Sequence, residues 1–208
     1  MEAGEVEAAV AAIRAGELVL LATDGVYGLC AAPANEAAVS RLYALKGRSA
    51  ARPAAIIAAS LAELIERIPE LRGRSARIAR TLLPGPYTLV LPNPAERYRA
   101  LTGERPDAIG VRVAVLPPGA QRVLDAIGML AATSANLPGA PDPARLEDVP
   151  AAIRAGCAAV IDGGVLAGTP STVIDFTGSE PVVLRVGAGS PRDALERVAE
   201  AMGAPDER

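Results

Sequence analysis

Histidine is absent from all 208 residues of this chain. That excludes Ser-His-Asp hydrolysis, Cys-His proteolysis and His-ligated zinc. Chemistry here must run on carboxylates, cations, hydroxyls, backbone donors or a metal brought by a ligand. Trp is absent too, and Phe176 is the only Phe, so the core has to be built from Ala, Val, Leu and Ile. No stretch is apolar for long enough to span a bilayer, and no membrane partner is expected. The two cysteines, Cys30 and Cys157, lie far apart and form no CxxC or ligand cluster. A basic excess is missing as well. The net charge of −3 argues against a surface that holds nucleic acid by its phosphates, although a local basic cavity stays open because net charge averages over the whole surface. Met1 is followed by Glu2, Glu5 and Glu7, the wrong opening for a secretory signal. A reduced, cytoplasmic compartment is the expectation.

Lysine is nearly missing. Of 21 basic residues, Lys46 is the only one that is not arginine. An arginine-favouring composition accounts for the other positions. It leaves the single compact ammonium as a candidate for work that a guanidinium fork does differently.

The residues that are present alternate between two periods. The span 6–15 reads as an amphipathic helix closed by Gly16. Further helices are predicted over 36–45 with Asn35 as N-cap, from Ser60 onward through a Ser60–Glu63 capping box, and over 75–83, 120–127, 149–155 and 191–202. Strands are predicted over 18–21, 54–59, 87–91, 109–115, 129–133, 158–161, 172–176 and 182–186. The interleaving predicts one α/β domain around a single mixed sheet, spanning residues 1–203 with a short C-terminal tail at 204–208.

Polar clusters fall where strands or helices end, the usual place for a ligand crevice in an α/β sheet. Thr23-Asp24-Gly25-Val26-Tyr27-Gly28-Leu29 is by itself a turn rich in Gly and Asp. Lys46-Gly47-Arg48 is either a pair of helix-dipole partners or a phosphate clamp, with Arg52 close behind. Ser134-Ala135-Asn136 can cap a helix, form an Asx-turn or hold nucleotide phosphates. Ser171-Thr172-Val173 enters a strand. Arg112 and Arg185 lie inside apolar strands, where a guanidinium is desolvated unless it meets an anion, be that an internal carboxylate or a ligand.

Taken in order, these segments resemble the YrdC-like family. Its pattern is P-T-x-T-V-Y-G-L, then K-x-R, P-G-P-x-T, V-R-V-P, S-A-N, S-T-V and a closing R-x-G. The counterparts here are 22–29, Lys46 with Arg48, Pro84 to Thr88, Val111 to Ala114, Ser134 to Asn136, Ser171 to Val173, and Arg185 with Gly187. Order and spacing agree over residues 5 to 190. Ala22, Gly25, Ala114, Arg52 and Ile57 depart from the family pattern, which bears on substrate contacts more than on the fold.

The resemblance implies a YrdC-like fold: a twisted mixed sheet flanked by helices, with a concave basic cavity. It implies an L-threonylcarbamoyladenylate synthase, a nucleotidyltransferase of the single-domain form. Such an enzyme joins L-threonine, bicarbonate and ATP into threonylcarbamoyl-AMP and pyrophosphate, with Mg²⁺ escorted by the nucleotide and no metal site of its own. Catalytic roles would fall to Lys46 and Arg48. ATP would be held by Lys46, Arg48, Arg52, Ser134, Asn136, Asp142 and Arg185, and threonine by Thr23, Tyr27, Arg112, Ala132 and Ser171. The eventual acceptor would be the tRNA adenosine at position 37, reached through a separate tRNA threonylcarbamoyl-transferase complex. Contact of this chain with tRNA stays open. The alternative is a YrdC-like paralogue that binds nucleotide or RNA without making the adenylate.

Overall fold

The structure is a computed structural model that describes residues 3–203; the tail expected at 204–208 lies outside the described residues. The chain opens with α1 (Ala3–Arg14), β1 (Val19–Ala22), β2 (Tyr27–Ala31) and α2 (Glu36–Lys46). It continues through β3 (Ala55–Ala58), α3 (Leu61–Arg67), α4 (Arg74–Leu82), β4 (Tyr87–Pro92) and β5 (Ala108–Val113). Then come α5 (Pro118–Ile127), β6 (Met129–Ser134), α6 (Ala151–Ala155), β7 (Ala159–Ile161), β8 (Thr172–Asp175), β9 (Val182–Arg185) and α7 (Pro191–Gly203).

Among the described residues nine strands join one sheet in the order β7-β1-β2-β6-β3-β5-β4-β8-β9. The pairs β1/β7, β3/β5 and β4/β8 are parallel and the other five antiparallel, so the sheet is mixed as its pattern of elements predicts. Among the described residues no helix is long and apolar enough to cross a membrane.

Strand periodicity decides which residue meets which layer. On one face Ile56, Ala58, Leu89, Leu91, Ile109, Val111 and Ile174 pack with side chains of α2, α3, α4 and α7. Leu20, Tyr27, Leu29 and Ala31 continue that face against α2 and α6. The opposite face is covered at one end only, where Val19, Leu21, Cys30, Ile57 and Leu130 meet α1 and α5. With so few aromatics, the interior is aliphatic apart from Tyr27, Tyr43, Tyr87 and Phe176. Burial pushes the Cys30 thiol up to about 12 and the Cys157 thiol up to about 11, so neither is a thiolate at neutral pH.

Local signals place the helix ends. Asn35 Oδ1 accepts from the Ala38 amide at 3.0 Å and caps α2. Ser60 Oγ accepts from the Glu63 amide at 3.1 Å. The reciprocal half of the expected capping box is not made, because Glu63 turns to Arg67 at 2.7 Å instead. Strand β2 was not among the predicted strands. Its first residues coincide with the polar segment 23–29, and the turn before it is so short that the hairpin reads as one motif.

Ile174 is fully buried and pairs in register with Leu89 at the centre of the larger core. Ile174→Ala should lower unfolding free energy by about 2–5 kcal/mol through lost transfer energy plus the cavity left behind, read from urea midpoints at constant m-value. A loss under about 1 kcal/mol would mean that this core is not the close-packed layer described.

Candidate functional site

Where α1 and α5 stop covering the second face, the sheet carries small side chains. Gly28, Ala132, Ala55, Ala108 and Gly110 all fall on it and line a cavity of about 450 Å³. Period-2 alternation puts Ala108, Gly110 and Arg112 of β5 on this face while Ile109, Val111 and Val113 go to the core. Thr88 and Val90 of β4 and Val173 of β8 extend the floor toward the edge strand.

The turn 23–26 forms one wall. The Thr23 amide and Oγ1 both donate to the Val26 carbonyl, at 3.1 and 2.6 Å. The Gly168 amide donates to the Gly25 carbonyl at 2.8 Å. A side chain at position 25 would strike the Thr169 carbonyl, which is the physical reason for glycine at this departure from the family pattern. Ile57 and Ala114, two other departures, are buried, and Ile57 also lines the cavity.

Cations enter from several elements. Helix α2 ends at Gly47, whose φ of 63° lets the Arg48 amide donate back to Tyr43 O at 2.9 Å. This C-terminal wrap separates the directions of Lys46 and Arg48. Arg48 lines the cavity, with Nη1 donating to Thr133 Oγ1 at 2.8 Å and Nη2 to the Pro53 carbonyl at 2.6 Å. Its Nε is buried without a partner. Burial, above all, lowers the Arg48 pKa; Tyr43 opposes it, and the charges of Arg52 and Arg185 lower it further by lesser amounts. A guanidinium stays charged through such a shift, and an anion brought beside it would offset both the burial and the neighbouring positive charge.

Arg112 also lines the cavity; Nη2 donates to Asp24 Oδ2 at 2.5 Å, and Nε is buried without a partner. Arg185 is placed differently from the expectation of a desolvated strand residue. It sits on β9, the edge strand, and is exposed, while its guanidinium reaches over Ser171 and donates to that residue's carbonyl at 2.8 and 3.1 Å and to its Oγ at 3.2 Å. Ser171 Oγ in turn shares a 2.8 Å hydrogen bond with Thr88 Oγ1. Arg105, Asp24 and Glu104 complete the charged lining.

Lys46 is 4% exposed, which is rare for an ammonium. Its Nζ donates to the Ser134 carbonyl, to Asn136 Oδ1 at 2.7 Å and to the Asn136 carbonyl at 2.9 Å, with Ser134 Oγ at 3.3 Å. Ser134 Oγ donates to Asn136 Oδ1 at 2.7 Å, and Asn136 Nδ2 donates to the Ala140 carbonyl at 2.6 Å. One ammonium therefore gathers the turn that follows β6. Burial, then the charge of Arg48, pulls its pKa down to about 8 against a smaller opposing effect of Asp142.

Of the residues proposed from the sequence, Thr23, Arg48, Arg112, Ala132, Ser134, Ser171 and Arg185 line the one cavity. Lys46 and Asn136 stand behind Ser134 rather than in the lining. Asp142 is close enough for its charge to act on both Lys46 and Arg185, and Arg52 is exposed in the turn after Arg48. Tyr27 goes elsewhere. It is fully buried on the opposite face of the sheet, where its hydroxyl donates to Asp162 and meets the Gly164 carbonyl at 2.9 Å. Burial and the Asp162 bond raise its pKa to about 12. Alternation carries the signal for this, since Gly28 faces the cavity and its neighbours cannot. Sequence reasoning did not single out Asp24, Thr88, Glu104 or Arg105 as site residues. Small residues two apart in β5, Ala108 and Gly110 before Arg112, are the pattern that marks the floor.

The class these features define is a mixed α/β domain with a cavity on a small-residue sheet face, and comparison with known proteins agrees on the fold. The Sua5/YciO/YrdC family model, described as telomere recombination, matches residues 11–187. The chain is 36% identical over 203 residues to the threonylcarbamoyl-AMP synthase of Pyrococcus abyssi, covering 95% of this chain and 58% of the relative. It is 32% identical over 200 residues to a putative threonylcarbamoyl-AMP synthase of Mycobacterium tuberculosis, covering 94% and 88%. Among solved structures, Pyrococcus abyssi Sua5 complexed with L-threonine superposes with a TM-score of 0.78 at 35% identity, over 95% of this chain and 58% of that one. The chain belongs to the Sua5/YciO/YrdC family. It spans little more than half the length of the Pyrococcus relative.

A lysine held near 8 in the fold and at its ordinary 10.5 when unfolded binds fewer protons folded than unfolded across that interval. Stability therefore rises with pH between those values. Urea titrations should show wild type gaining on Lys46→Met from about pH 7 to about pH 10. Parallel pH profiles of the two proteins would show that the ammonium does not titrate in this window.

Proposed function

We propose that this chain is an L-threonylcarbamoyladenylate synthase, a nucleotidyltransferase that forms threonylcarbamoyl-AMP and pyrophosphate from L-threonine, bicarbonate and ATP. The observation that carries the reading is the meeting of Arg48, Arg112 and Arg185 with Ser134 and Ser171 around one cavity. It occurs in a chain 36% identical to a protein bearing that name. The likeness to a fold that binds L-threonine in Pyrococcus abyssi supports the same substrate here.

The chemistry suits a site without histidine. The threonine amine and bicarbonate condense to a carbamate and water. A carbamate oxygen then attacks the α-phosphorus and pyrophosphate leaves. The carbamate is already an anion, so the attack needs alignment, charge neutralisation and shelter from water rather than a strong base at that step. In this reading Arg48 and Arg185, with Arg52 at the mouth, receive the triphosphate. Lys46 fixes Ser134 and Asn136 and adds its charge behind them, with Asp142 nearby. Arg112 takes the threonine carboxylate beside Thr23, Ala132 and Ser171. Tyr27, whose hydroxyl is engaged across the sheet, supports the wall without touching substrate.

Among the described residues no group of three or more His, Cys, Asp or Glu is arranged to hold a metal. In this reading Mg²⁺ would arrive with the nucleotide and would offset phosphate charge beside Arg48 and Arg185. The adenylate would pass to a tRNA threonylcarbamoyl-transferase complex in the cytoplasm, for modification of the adenosine at position 37.

Pure protein should release pyrophosphate from ATP only when both L-threonine and bicarbonate are present; release that ignores threonine would overturn the reading. Arg48→Ala should cut kcat by about 10²-fold, the loss typical of one preorganised electrostatic donor. Arg112→Ala should mainly raise the KM for threonine. A change confined to the KM for ATP in Arg112→Ala would show that the two subsites are exchanged.

A further inference from the structure

Asp24 has no role in the scheme above, yet it is a carboxylate in the lining of a chamber otherwise rich in guanidinium groups. The Arg112 side chain beside it is 10% exposed and its own 21%. Asp24 as a residue is open to solvent, and an ion pair with one exposed partner adds little stability on its own. This one is also incomplete. Asp24 Oδ2 occupies one guanidinium nitrogen, while Arg112 Nε is left buried without a partner. Asp24 Oδ1 accepts no hydrogen bond from the described residues.

Nor does the pair depend on itself for its placement. Asp24 is held by the turn, through the two Thr23 donations to Val26 and the Gly168 donation to Gly25. Arg112 is held by β5, in register with Ile57 of β3. Two rigid elements thus present a cation and an anion side by side; Asp24 Oδ1 and Arg112 Nη1 have no hydrogen-bond partner among the described residues, and Nη1, unlike Nε, is not sealed from the chamber. An α-amino acid is the complementary object, with an ammonium and a carboxylate on adjacent atoms.

We infer that Asp24 and Arg112 together form a reader for the α-amino-acid zwitterion, in which Asp24 receives the substrate ammonium while Arg112 receives the carboxylate. This rests on the proposed function and adds to it the residue that demands an amine. Asp24 makes the site discriminate an amino acid from the corresponding hydroxy acid, because a ligand without the ammonium leaves the carboxylate facing an anion. It also positions the nitrogen, which meets bicarbonate once the ammonium has given up a proton to water.

Isothermal titration of wild type, Asp24→Asn and Asp24→Glu with L-threonine and with 3-hydroxybutanoate tests the idea. The second ligand carries the same carboxylate and hydroxyl without the amine. Asp24→Asn should lose about ten- to hundredfold in threonine affinity, the worth of a charged hydrogen bond. It should hold 3-hydroxybutanoate as well as wild type or better, since Arg112 is released from its competitor. Asp24→Glu should keep the preference for threonine. Unchanged threonine affinity in Asp24→Asn overturns the inference, as does an equal loss for both ligands, which is the signature of a merely structural role. A wild-type protein that binds neither ligand overturns the proposed function together with this inference, whereas normal wild-type binding with an unaffected Asn variant removes the inference alone.

Discussion

The chamber exists because one half of one sheet face is built from side chains too small to fill it. At Gly28, Ala55, Ala108 and Gly110 the strands present little beyond their backbone, and among the described residues no helix covers them as α1 and α5 cover the other half, with Ala132 at the boundary between the two. On the reverse face the same strands present Ile, Leu and Val to a continuous core. Period-2 geometry lets a single stretch of chain do both. The floor is therefore as rigid as the core beneath it, and polar groups at its rim inherit that rigidity.

Rim groups are held by backbone as much as by side chains. Gly47 redirects the chain so that Lys46 and Arg48 leave α2 in different directions. Each then fastens onto the end of β6, Lys46 at Ser134 and Asn136, Arg48 at Thr133. Across the cavity Arg185 folds from the edge strand onto Ser171. The cations are in consequence only partly satisfied and repel one another. In the proposed function, cations placed this way would favour a multiply charged anion over water.

Much of this was legible in the sequence. Apolar periods marked six of the seven helices closely, and Asn35 and Ser60 announced their caps by residue type. The polar segments fell at element ends, and seven of the proposed residues meet at one cavity. Facing direction was harder to read. Tyr27 sits between Thr23 and Gly28 in a segment that looks uniformly functional, but it shares parity with Leu29 and goes to the core. Arg185 resembles Arg112 in its apolar surroundings, yet β9 is an edge and its apolar neighbours Val182 and Leu184 are exposed. Sheet order decides that difference, and order is a property of long-range pairing that local pattern does not contain. Asp24 escaped for another reason, because a carboxylate among cations reads as a simple counter-ion until its free oxygen is seen.

The solitary lysine also makes the molecule its own reporter. Lys46 Nζ is the only side-chain amine in the chain, and it is sealed behind the loop that it ties. An acylating reagent can reach it only when that loop opens, since such local openings govern the reactivity of buried groups. The rate at which this single site is modified thus times the breathing of the chamber wall, without any engineered label.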